Sequence, residues 1–164
     1  MKTAFLASVT LALAGIGLAA CGQDSSEPTA AATEAAPDAL PGIAVTDGRL
    51  VLPAVKGNPG AVYFEVANKG EQDVSIVGAF VDGAREAMLH ATVEKDGMTS
   101  MNPMSEVPVA KGGTVSFAPG GNHVMAMDLS DVLAPGDTTD VTLTFSSGDK
   151  ATFPARVLAA GAAR

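Results

Sequence analysis

Both histidines of this 164-residue chain, and six of its seven methionines, lie between Met88 and Met127. Methionine offers a soft, neutral thioether, and histidine a borderline imidazole nitrogen. Together they suit Cu(I), a soft monovalent ion, better than zinc, magnesium or calcium. In His123-Val124-Met125-Ala126-Met127, an extended backbone places His123, Met125 and Met127 on one face. Successive members of that face are about 6.6 Å apart, close enough for two long side chains to meet at one ion. Met88 and His90 form a similar pair, and Met98, Met101 and Met104 follow Gly97. Thioethers do not titrate, so protons compete only for the imidazoles. Binding should therefore weaken below about pH 6.5.

These residues must be carried by strands. From Ile43 onward, short apolar runs alternate with Gly, Pro, Asn and Asp breaks. Runs at 61–67, 74–81, 87–93, 114–117, 141–145 and 151–158 end at turns such as Asn68-Lys69-Gly70, Asp82-Gly83 and Pro119-Gly120-Gly121. That rhythm predicts an all-β sandwich or barrel. In Val141-Thr142-Leu143-Thr144-Phe145 the apolar residues share one face and should form core. Val62, Phe64 and Val66 do the same, leaving Tyr63 and Glu65 on the other face. Pro119-Gly120-Gly121-Asn122 reads as a tight loop that sets His123 at a strand edge.

The N-terminal region is of a different kind. Met1-Lys2 and the uncharged run from Ala4 to Ala20 read as an export signal spanning 1–20. Leu18-Ala19-Ala20-Cys21 resembles a bacterial lipobox, which implies acylation of Cys21 and cleavage before it. Cys21 is the only cysteine, so an intrachain disulfide is impossible. Residues 21–42, rich in Ala, Pro, Ser, Thr and acids, read as a flexible tether. A folded domain over 43–158 and a short tail over 159–164 complete the expected organisation. The anchor would hold the chain on a membrane of the bacterial cell envelope, facing the periplasm. Gly22, where enteric-type sorting would use Asp for inner-membrane retention, favours the outer membrane.

The formal net charge is −8, and loss of Lys2 with the signal makes it one unit more negative. Phosphate backbones call for Lys and Arg, so nucleic acid is excluded as a partner. A blue-copper electron carrier needs a cysteine thiolate beside its histidines, and Cys21 is far from them in sequence. Two separated histidines suit catalytic zinc poorly. No nucleophile elbow is present, and no enzyme signature was found.

Ten residues separate His90 from Met101, twenty-one separate Met101 from His123, and one separates His123 from Met125. This spacing resembles the H-(M)-x10-M-x21-H-x-M pattern of the periplasmic copper chaperones of the PCu(A)C family. Gly97-Met98, Asn102-Pro103, Pro119-Gly120-Gly121-Asn122 and the Leu143-Thr144-Phe145 strand extend the likeness. The resemblance implies a cupredoxin-like Greek-key β-sandwich holding one Cu(I) on His90, Met101, His123 and Met125. Met88, Met98 and Met127 stand as further candidate thioethers, each with a packing role as the alternative. Ala91 stands where many members have an optional Met, and Asn102 where the family often has Arg. The resemblance also implies a monomeric chaperone that exchanges copper with envelope proteins, namely the copper subunit of cytochrome c oxidase and Sco-type proteins. Copper sequestration for tolerance is the alternative within metal biology, and a structural envelope sandwich is the alternative outside it.

Overall fold

The computed structural model describes residues 40–95 and 97–162. The signal segment, Cys21 and most of the tether lie outside the described residues. Ten strands and no helix make up the described residues. They are β1 (Ile43–Val51), β2 (Gly60–Asn68), β3 (Val74–Val81), β4 (Glu86–Lys95), β5 (Met98–Pro103), β6 (Val107–Val109), β7 (Thr114–Phe117), β8 (Asn122–Met127), β9 (Thr138–Phe145) and β10 (Lys150–Leu158).

The strands form one continuous sheet in the order β5-β4-β8-β7-β2-β1-β10-β9-β3-β6. The sheet closes on itself as a sandwich, because β3 from one half packs on β4 from the other. All-β and cupredoxin-like, the architecture is the one expected. Its core is a single cluster drawn from both halves. Val62, Phe64 and Val66 from β2 meet Val141, Leu143 and Phe145 from β9 in that cluster. Phe64 stacks on Phe117 with ring centroids 4.2 Å apart and tilts against Phe153 at 5.0 Å. The first contact stays within one half and the second joins the halves.

Two local devices shape the frame that holds the candidate ligands. In β1 the register with β2 shifts between Thr46 and Arg49, with Asp47 at φ 56. A bulge of this kind bends a strand and re-aims the residues after it. Gly48 belongs there because an added Cβ would sit 2.5 Å from the Pro154 carbonyl oxygen. The second device is Asn68, only 2% exposed, at the end of β2. Its Nδ2 donates to the carbonyls of Gln72 and Val109, and its Oδ1 accepts from the Gly70 amide. This one side chain ties β2 to the following turn and to β6.

β2 serves two neighbours along one edge. Its first residues pair with β8 (Gly60↔Ala126, Ala61↔Met125, Val62↔Val124) and its later ones with β7. β8 is thereby pinned between β2 and β4, and its alternation cannot slip without exposing Val124 and Ala126.

Candidate metal centre

Alternation in β4 and β8 decides which face each candidate occupies. Leu89 of β4 and Val124 and Ala126 of β8 are core residues. Met88, His90 and Thr92 therefore take the opposite face of β4, and His123, Met125 and Met127 the opposite face of β8. The antiparallel register then pairs His90 with His123 and Met88 with Met125. The two imidazole rings lie 5.9 Å apart between centroids and 24° from parallel.

Met101 arrives from the other side of β4. The β4–β5 hairpin pairs Thr92 with Met101 and His90 with Pro103. Met101 is thus a diagonal neighbour of His90 on the same face, within reach of a long side chain. Four residues from three strands converge around His90, with β4 in the middle.

The histidines are 7% and 5% exposed, whereas Met101 is 58% exposed. Nδ1 of His123 lies 3.1 Å from the Gly121 carbonyl oxygen, and Nδ1 of His90 lies 3.4 Å from that of Met88. A carbonyl only accepts, so each Nδ1 carries the proton in its neutral tautomer. Each Nε2 keeps its lone pair for a metal. An open cleft of about 530 Å³ reaches the site, lined in part by Pro59, Tyr63, Met101, Gly120, His123 and Met125. Among the described residues, no group of three or more His, Cys, Asp or Glu side chains is placed to share an ion. The donors gathered here are imidazole and thioether, a neutral and soft set.

Not every candidate joins this cluster. Met98 pairs with Lys95 at the hairpin end, and alternation puts it on the face opposite Met101, 72% exposed. Met104 is partly buried against the core. Met127 points away from the core, on the His123 face, because Ala126 takes the inward position. The segment after Gly97, which is not among the apolar runs expected as strands, is strand β5.

Alternation sets Tyr63 on the outward face of β2, where nothing in the sequence gives it a role. Its ring lies 6.4 Å from that of His123, and the Arg49 guanidinium carbon lies 5.8 Å from the Tyr63 ring centroid. Burial pushes the Tyr63 hydroxyl above its ordinary pKa, and the Arg49 charge offsets part of that rise. The register of β2 with β8, which only the tertiary structure shows, makes Tyr63 a wall of the cleft.

The model of the family described as "Putative lipoprotein LpqE-like" matches residues 43–157, the greater part of the chain. The chain belongs to the LpqE-like family. A relative of the LpqE-like chain, "Putative lipoprotein Lxx21020" from Leifsonia xyli subsp. xyli, is 38% identical over 89 residues. That match covers 54% of each protein, so the chain spans about half the length of this relative. Among solved structures, the copper-bound PCuAC domain from PmoF2 superposes with a TM-score of 0.61 at 22% identity, covering 74% of this chain and 96% of that domain. Apo-DR1885 from Deinococcus radiodurans is 28% identical with a TM-score of 0.50, covering 92% of this chain and 99% of DR1885. Its Cu(I) form is 27% identical with a TM-score of 0.51, covering 78% and 83%. The LpqE-like chain therefore has the fold of PCuAC domains, in agreement with the fold that its motif spacing implied.

Proposed function

We propose that this protein is a lipid-anchored Cu(I) chaperone of the cell envelope. The observation that carries the reading is the opposition of His90 and His123 across β4 and β8, with Met125 beside one and Met101 beside the other. Two imidazole Nε2 atoms and two thioethers supply four neutral donors. A bound Cu(I) would leave the site with a single positive charge, which the burial of the histidines tolerates better than the double charge of Cu(II) or zinc. The likeness to DR1885, whose Cu(I) form has the same fold, supports copper as the cargo.

Delivery is favoured over sequestration by the exposure of Met101. A half-exposed thioether can leave the ion and make room for an acceptor's ligand, so copper passes by exchange without entering water. The acceptor in this reading is the copper centre of cytochrome c oxidase, reached directly or with Sco-type proteins. Cys21 carries the lipid, and the tether that follows it raises the effective concentration of the site near a membrane-bound acceptor. The periplasmic side and the outer membrane complete the placement, and the chain acts as a monomer.

An anaerobic Cu(I) competition titration tests the reading. The chain is used in a Cys21→Ser background, since a free thiol would itself bind Cu(I). One tight equivalent, lost when His90, Met101, His123 and Met125 are all changed to Ala while the fold survives, is expected. Equal weak binding by both proteins would leave a structural envelope sandwich. Deletion in the cell separates the two copper roles: an oxidase defect rescued by added copper indicates delivery, and copper sensitivity with normal oxidase indicates sequestration.

A further inference from the structure

The outward face of β4 and β8 carries more thioether than the histidine cluster uses. Met88 lies directly opposite Met125 in the ladder, and Met127 lies two residues beyond Met125 on the same face. Directly opposed residues have Cβ atoms about 5 Å apart, and diagonal neighbours about 7–8 Å. Methionine has three rotatable side-chain bonds and spans such gaps readily. All three residues are half-buried, neither sealed in the core nor free in solvent.

Core packing does not account for them. The core positions of these strands are already filled by Leu89, Val124 and Ala126. The outward face of an antiparallel sheet ordinarily carries polar side chains. Three thioethers stand there instead, continuing the row that begins with His90 and His123. At its far end, Met127 pairs in register with the exposed Glu86, whose negative charge favours a cation.

We propose that Met88, Met125 and Met127 form a second site, made of thioethers alone, for a soft monovalent ion such as Cu(I) or Ag(I). This inference rests on the histidine–methionine site proposed above, because the two sites share Met125. The sharing gives the ion a path. While Met125 stays bound, Met101, His90 and His123 release the ion as Met88 and Met127 take it up. No electron moves: three donor bonds break and two form, so the ion passes from four neutral donors to three. The step carries Cu(I) along the strands, away from the buried imidazoles and toward the end of β8. Three thioethers bind more weakly than a set containing two imidazoles, so the second site holds the ion in passage.

The test uses Ag(I), which has no accessible redox step, and the full chain in the Cys21→Ser background. Binding is compared among the parent, a His90→Ala/His123→Ala chain, and that chain with Met88→Leu and Met127→Leu added. Met→Leu keeps side-chain volume, so the sandwich is retained. The histidine-free chain is expected to keep one weaker equivalent whose affinity is the same at about pH 5 and about pH 8, since thioethers do not titrate. Adding the two leucines should weaken that equivalent about tenfold or more. Residual binding that is unchanged by the leucines, or that falls on acidification, overturns the thioether site. Failure of the histidine–methionine reading looks different: the parent would then bind no more tightly than the histidine-free chain.

Discussion

His90 and His123 stand directly opposite each other on β4 and β8, their rings 5.9 Å apart and nearly parallel, each with Nδ1 turned to a backbone carbonyl. The pair is held from beneath by Leu89 and Val124, which are themselves opposed in the same ladder and buried. The ring positions are therefore fixed by the core, and a metal would find two nitrogens already aimed.

Removing either ring should be costly. His90→Ala or His123→Ala is expected to weaken Cu(I) binding by about a hundredfold or more, equivalent to about 3 kcal/mol. Met101→Leu should cost less and speed release to a chelator, since Met101 is the exposed donor. Met98→Leu should change nothing, because Met98 lies on the other face of β5. Competition titrations of the four variants check the ranking, and an effect of Met98 equal to that of Met101 would contradict the β4–β5 register.

Tyr63 offers a built-in reporter. It is the only tyrosine, and the chain has no tryptophan. Because its ring is 6.4 Å from that of His123, loading the site with metal should alter Tyr63 emission, and His123→Ala should abolish the change. Emission that is indifferent to loading would place the metal elsewhere.

The same residue gives a pH dependence. Burial raises its pKa, and Arg49 partly offsets the rise. The unfolded chain therefore loses this proton first, at about pH 10. Stability from the protonated phenol is fully present below that pH and is lost as pH rises through the higher folded-state value. Phenolate absorbance should have its midpoint above that of free tyrosine, and Arg49→Ala should move it higher still. A midpoint at or below the free value would contradict the burial of the hydroxyl.

The sandwich should depend strongly on Phe64. It packs on Phe117 in its own half and on Phe153 in the other. Phe64→Ala is expected to cost about 3–5 kcal/mol, read as a lower denaturant midpoint with unchanged slope.

Asn68→Ala should be nearly as damaging. It would strip two buried or half-buried carbonyls and the Gly70 amide of their partner. A loss of about 3 kcal/mol is expected by chemical denaturation. Tolerance of this change would mean that water replaces the side chain.

The donor types, their neutrality and the faces that the donors of β4 and β8 take along their own strands are legible in the residues alone. Alternation in β2 and β9 showed which residues turn inward, because a buried face imposes a period of two. The same alternation made His123, Met125 and Met127 neighbours without any knowledge of the fold. It did not reveal β5, whose six residues are all exposed and carry no apolar rhythm. Nor did it bring Tyr63 to the site or separate Met98 from Met101. Those facts depend on register between strands distant in sequence. A strand's pattern says which way its side chains point, but not which strand lies beside it or at what offset. Only the folded sheet, with β4 set between β5 and β8 and β2 beyond, decided that His90 would face His123.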